Sequence, residues 1–123
     1  VDENVNLCDL FATLSELAGL PIPEGLDSRS LVPLLKGEAT DWGNETVSQF
    51  GKQNVMIKQD HLKYQHYGPE MPEVLFDLEN DPAELTNVVD DPAYSAEVEE
   101  FRFRLAELGH GPNADPDYVN AGY

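Results

Sequence analysis

The side chains best suited to chemistry in this sequence are three histidines, one cysteine and a run of acids. Nucleophilic catalysis at Ser15, Ser28, Ser30, Ser48 or Ser95 would need a general base held beside the hydroxyl. None of these serines sits in a G-x-S-x-G elbow, and they read as capping or surface residues. Cys8 has no basic neighbour in sequence to lower its pKa, so a buried, inert thiol is expected. His61 and His66 are five apart, which on a strand turns them to opposite faces and makes them poor ligands for one metal. His110 follows a predicted helix end, where the partial negative charge favours the imidazolium. Asp77, Glu79, Asn80, Asp81 and Glu84 offer oxygens of the kind a calcium ion takes. Pro82 replaces a ligand position there and no central glycine occurs, so capping and turn formation explain the same acids more simply. The triplet Asn44-Glu45-Thr46 fits the glycosylation rule, a short pattern that recurs by chance. No complete catalytic constellation emerges.

The elements that would position these residues follow from periodicity. From Val5 to Leu20, Leu7, Leu10, Phe11, Leu14, Leu17 and Ala18 recur at helical spacing on one face. Asp2, Asn4 and Asn6 offer N-caps, and Gly19 before Pro21 offers a stop. After a Pro- and Gly-punctuated loop, Ser30 can cap a short helix ending at Leu35, with Leu31, Leu34 and Leu35 buried and Gly37 closing it. From Glu45 the pattern turns to short β-branched and aromatic runs: ETVSQF, NVMIKQ, LKYQHY and EVLFDL, separated by turn-like residues. Lys58, Asp60 and His61 would then surround a hairpin turn. Asp81-Pro82 with Glu84 has the form of a capping box opening a helix. Asp91-Pro92 opens a longer helix to Gly109, with Tyr94, Val98, Phe101, Leu105 and Leu108 as its apolar stripe lying across the sheet. The tail from Gly111 is rich in turn formers, and its two tyrosines and Val119 could anchor an extended arm.

The expected fold is therefore α+β: a small antiparallel sheet of three to four strands with a long C-terminal helix packed on it, preceded by helices. The expected boundaries are 1–40 for the helical part, 41–110 for sheet plus helix, and 111–123 for the tail. Composition agrees with a packed structure, since 41% of the residues are hydrophobic. Twenty-four acids against seven bases give a net charge of −17, which opposes binding to nucleic acid or to anionic lipid. No apolar run reaches the length of a membrane span. A lone cysteine excludes an intrachain disulfide. The opening VDENVNLCDLF carries no signal segment and falls at once into a helical pattern, so the chain reads as part of something longer.

Four motifs in order carry a resemblance. The string LFDLENDPAELTN, Leu75 to Asn87, resembles the Leu-Tyr-Asp-Leu signature with Asp-Pro, Glu and Asn near the C-terminus of the type I sulfatase family, with Phe76 where tyrosine is commoner. Asp9, Thr13, Leu14, Ala18 and Gly19 match a family helix, although Ala12 replaces its usual proline. Ser30, Leu31, Pro33, Leu34 and Leu35 match a third segment, and Lys63-Tyr64 ends a fourth in which Lys58 stands where arginine is frequent. The resemblance implies the C-terminal subdomain of a sulfuric ester hydrolase of the alkaline-phosphatase-like superfamily. The leading helices would then belong to the end of a missing α/β catalytic domain, which would be the chain's partner. That domain would carry a formylglycine and a calcium ion; Cys8, followed by Asp-Leu-Phe-Ala, does not match the formylglycine motif. No catalytic residue, cofactor ligand or metal ligand is thus expected here. His61, Lys63 and His66 are the expected contacts at the rim of a sulfate-ester site. A phosphonate monoester hydrolase or phosphodiesterase of the same superfamily is the near alternative, and a non-enzymatic acidic binding module the distant one. The resemblance also favours a periplasmic or extracellular location, and an uncovered first helix implies self-association of the isolated chain.

Overall fold

The structure, a computed structural model, describes residues 2–38, 41–51 and 53–111. The expected arm beyond them lies outside the described residues. The chain divides into two compact units, Val1–Thr46 and one that begins at Val47, so the division falls inside the first strand.

In the first unit, α1 (Asp9–Leu17) is shorter than its apolar pattern suggests, and α2 (Val32–Leu35) is a single turn. Ser30 Oγ accepts from Val32 N at 3.2 Å, and Pro33 falls in the first turn as expected. Gly37 closes the turn at φ +68°, a left-handed position that glycine occupies without Cβ strain. Only Val32 and Leu34 are buried; the expected burial of Leu35 fails, because one helical turn presents a single face.

The second unit is a four-stranded sheet in the order β1 (Glu45–Phe50), β2 (Asn54–Gln59), β3 (Leu62–His66), β4 (Val74–Asp77), with α3 (Ser95–Glu107) after it. β2 and β3 pair antiparallel, with Ile57 opposite Tyr64 and Lys58 opposite Lys63; β3 and β4 pair antiparallel, with Tyr64 opposite Leu75. The alternation fixes two faces. Val55, Ile57, Tyr64 and Leu75 turn one way and are closed by Val98, Phe101 and Leu105 of α3, with Tyr94 and Leu108 at the margin. The rings of Tyr64 and Phe101 stack with centroids 5.3 Å apart. Asp91 Oδ1 accepts from Ala93 N at 2.9 Å, capping the 3-10 turn Pro92–Tyr94 that leads into α3. The expected helix at Asp81-Pro82 does not form. Asp81 Oδ2 instead accepts from Leu85 N and Thr86 N at 2.7 and 2.8 Å, and Glu84 sits at φ +55°, which a right-handed helix excludes.

Candidate functional site

The three residues expected at a substrate rim do not converge. His61 lies in the β2–β3 turn beside Asp60, half exposed, with Nδ1 4.0 Å from Glu79 Oε2. Lys63 is on the face of β3 away from α3, and its Nζ donates to Glu84 Oε2 at 2.6 Å. His66 turns to the opposite face and is buried, with no hydrogen-bond partner for Nδ1. The pleat turns Lys63 and His66 to opposed faces, whereas His61 lies in the turn, off the strand on which the expectation for His61 and His66 depended. Beside His66 lies His110, also buried. Burial first, and His66 second, push the His110 pKa below its ordinary value. This reverses the expected stabilisation of its imidazolium. The chain folds back at Gly109 so that His110 N donates to Leu105 O at 3.0 Å, and desolvation outweighs the helix-end charge.

The acids of the Leu75–Asn87 signature are consumed in holding the fold. Asp77 accepts from Tyr94 Oη (2.7 Å), Asn80 Nδ2 (2.8 Å), Glu79 N (3.0 Å) and Asn80 N (3.1 Å). Those donors, the Tyr94 hydroxyl first, overcome the cost of burial and hold the carboxyl at about 2. Asn87 Oδ1 accepts from Leu75 N at 2.9 Å and from Val89 N at 3.1 Å, while its Nδ2 donates to Glu73 O at 3.1 Å. One asparagine thus stitches the following chain along β4. Glu73 joins the sheet to α3, accepting from Tyr64 Oη at 2.6 Å and from Arg102 Nε and Nη2 at 3.0 and 2.6 Å. Burial opposes its ionisation, yet the Arg102 and Tyr64 hydrogen bonds keep its carboxyl below the usual range. The same burial and carboxylate raise the Tyr64 phenol.

The signature residues of the first unit are structural in the same sense. Asp9 is buried; its carboxylate accepts from Asn6 N at 2.8 Å and from Arg29 N at 2.9 Å. Thr13 Oγ1 donates to Asp9 O at 2.6 Å and accepts from Leu31 N at 2.9 Å. Ser28 Oγ inserts between Cys8 O and Ala12 N, at 2.7 and 3.1 Å. Arg29 lies 3.8 Å over the Trp42 ring, whose Nε1 donates to Asn4 O at 2.8 Å. Polar side chains therefore occupy the inner face of α1, while Leu7, Leu10, Phe11, Leu14, Leu17 and Leu20 are exposed, Leu7 by 81%. Cys8 is exposed too, contrary to the expected buried thiol, because it precedes the helix on its open side. Partial desolvation and then the Asp9 charge raise its pKa, which disfavours the thiolate.

Among the described residues no group of three His, Cys, Asp or Glu side chains could hold a metal ion. In the Asp77–Glu84 loop, Asp77 and Asp81 accept from the chain's own donors and Glu84 from Lys63, while Glu79 points to His61. Among the described residues of the second unit, open cavities lie at the β1–β2 and β3–β4 connections. One of about 170 Å³ is lined by Phe50, Asn54, Met56, Gln65 and Tyr67 among others, and one of about 390 Å³ by Gln53, Tyr67, Gly68 and Glu70 among others. In the sequence these residues look like ordinary strand ends and turns; an aromatic followed by Gly68-Pro69 is the available signal.

Residues 1–110 match the family model described as N-sulphoglucosamine sulphohydrolase, C-terminal. The chain is 34% identical over 108 residues to the Delta 4,5-hexuronate-2-O-sulfatase of Bacteroides thetaiotaomicron, covering 79% of this chain and 22% of that protein. Its structure is similar to that of a 2-O GAG sulfatase, with TM-score 0.72 and 30% identity over 93% of this chain and 26% of the other. It is also similar to the phosphonate monoester hydrolase of Agrobacterium radiobacter, with TM-score 0.65 and 29% identity over 81% of this chain and 24% of that one. The chain spans about a fifth of the length of the curated relatives it matches.

Proposed function

The chain belongs to the N-sulphoglucosamine sulphohydrolase C-terminal family and is the C-terminal portion of a sulfatase; from that premise we propose that it serves as the closing scaffold of an enzyme that hydrolyses sulfate esters, with the reacting groups carried upstream. The observation that carries this reading is the match over residues 1–110. The inverted polarity of α1 supports the scaffold role. A helix whose polar face is satisfied internally and whose leucines face outward is one half of an interface. We assign the other half to the catalytic domain of the same protein. The formylglycine and calcium implied by the resemblance belong to that domain, where a hydrated aldehyde attacks the ester and the cation stabilises charge on the sulfate oxygens. Residues 1–40 are then the end of that domain, residues 41–110 the subdomain and residues 111–123 its tail. A periplasmic or extracellular setting belongs to the same reading.

The rim assignment narrows. His66 is buried and Lys63 is paired, which leaves His61 as the accessible member of the three. A phosphonate monoester hydrolase is the second reading, favoured by the similarity to the Agrobacterium enzyme. Both are tested by assaying the intact protein on 4-nitrophenyl sulfate and on a phenylphosphonate monoester. Faster turnover of the sulfate ester supports the first reading. Preference for the phosphonate supports the second, and turnover of neither overturns both.

A further inference from the structure

The inner face of the sheet ends in a histidine that a second histidine meets. His66 closes β3 opposite Val55 of β2, and one step beyond the last β3–β4 pair, Gln65 with Val74, it lies across from Glu73. His66 is 5% exposed, and its Nδ1 meets no partner among the described residues. A buried nitrogen without a partner forfeits its hydration, which loosens this end of the core. His110 reaches the same place from the end of α3 and is 9% exposed. Gly109 and Gly111, at φ +78° and +80°, reverse the chain on either side of it. The turn presses on the helix so closely that a Cβ on Gly111 would lie 2.9 Å from Leu105 Cδ2. Its backbone bonds run from Gly109 N to Ala106 O and from His110 N to Leu105 O, both 3.0 Å.

The charges around this pair decide how it answers a proton. Among the described residues, β1 and β2 put Val47 and Val55 into this core, and β3 adds the Tyr64 phenol. Glu73 stands before β4, and α3 brings Arg102, paired with Glu73 and Glu99, and the Arg104–Glu107 pair of its last turns. Glu73 already accepts from Tyr64 and Arg102, and Glu107 from Arg104. Both carboxylates are thus committed elsewhere, and Arg102 adds a like charge to any imidazolium formed here. Burial first, and His66 second, hold the His110 pKa below 6.5. We propose that His66 and His110 form an acid-sensitive latch: the Gly109–Gly111 turn is docked on the sheet while His110 is neutral, and a proton on His110 lets it swing out on its two glycines. The docked turn binds that proton more weakly than the open one, so docking is complete above pH 6.5 and weakens as pH falls below it. Opening stays local, because the Tyr64–Phe101 stack and the Glu73–Arg102 pair hold the rest of α3 to the sheet.

The latch acts whatever ester the enzyme hydrolyses, and its test needs no substrate. Amide hydrogen exchange of the intact protein is read by mass spectrometry at about pH 7.5 and about pH 5, corrected for the intrinsic effect of pH on exchange. Protection of residues 108–110 should fall about fivefold or more on acidification. In low urea their exchange at the acid pH should hardly change, as a local opening exposes little surface, whereas residues 98–101 should speed up. His110→Gln should abolish the pH response of residues 108–110, whether its turn is docked or open, and His66→Gln should shrink that response. Protection that is independent of pH in the wild type would overturn the proposal. So would residues 108–110 sharing the protection and urea dependence of residues 98–101, which would mean that the turn opens only when the whole unit unfolds. A wild-type response retained in His110→Gln would assign the proton elsewhere, and one unchanged in His66→Gln would break the pair; each contradicts the latch.

Discussion

The two helices α1 and α3 carry similar apolar stripes, yet one is exposed and the other is the lid of a core. Val98, Phe101 and Leu105 close on the sheet, whereas Leu10, Phe11, Leu14 and Leu17 stay open and Asp9, Thr13 and Ser15 are buried in their stead. The contrast teaches that periodicity says which face will be covered, and leaves open what covers it. In the second unit the cover is encoded downstream within the same chain. In the first, the inner polar face is occupied by loop residues, so the outer apolar face is the one that awaits a partner.

The contrast can be broken most strongly at Phe101. Its replacement by alanine removes the ring stacked on Tyr64 and should cost about 4 kcal/mol by chemical denaturation of the intact protein. Leu14→Ala should cost less than about 0.5 kcal/mol in the 123-residue chain by itself, where the side chain is already exposed. In the intact protein the same change should cost about 2 to 3 kcal/mol, the range for emptying a covered leucine site. Equal losses from both substitutions in the chain alone would erase the distinction. At the next scale, Asp77→Ala breaks four hydrogen bonds of a buried carboxylate and should cost about 3 kcal/mol. Asp77→Asn should cost less, because the amide oxygen still accepts from Glu79 N and Asn80 N.

The smallest effect is in pH. His110 has a lowered pKa, so the unfolded chain takes up protons first as pH falls through the ordinary value of 6.5, and stability declines below that point. Asp77 is lowered from 3.8 to about 2, so its contribution is complete above pH 3.8 and is lost as pH falls toward 2. Melting temperatures across a range of about pH 2 to 8 should therefore fall in two stages. His110→Gln should remove the upper stage and keep the lower; retention of both would show that another group titrates there.

The strands are legible in the sequence as short β-branched and aromatic runs between turn-like residues. Their inner face is not, because Val55-Met56-Ile57 and Val74-Leu75-Phe76 are each apolar throughout, and only the pairing turns Val55, Ile57, Tyr64, His66 and Leu75 inward. The α3 stripe and its Asp91 cap are as plain as the strands. What the sequence hides is the use of side chains by irregular backbone. Asp81, Pro82 and Glu84 satisfy a helix-start pattern, but Asp81 bonds two amides further on and Glu84 adopts a left-handed conformation. Local propensity loses there to the Lys63–Glu84 ion pair and to the Asp77 cluster. The candidate rim disperses for a related reason. Residue type suggests His61, Lys63 and His66, whereas the pleat and Glu84 disperse them.

The central claim is that α1 is one half of an interface whose other half lies upstream. Amide hydrogen exchange of residues 9–17, compared between the intact protein and the 123-residue chain, tests it directly. Coverage of the leucine face predicts slower exchange in the intact protein by about a hundredfold or more, with α3 far less affected because its core is already closed. Equal exchange of α1 in both samples would contradict the account.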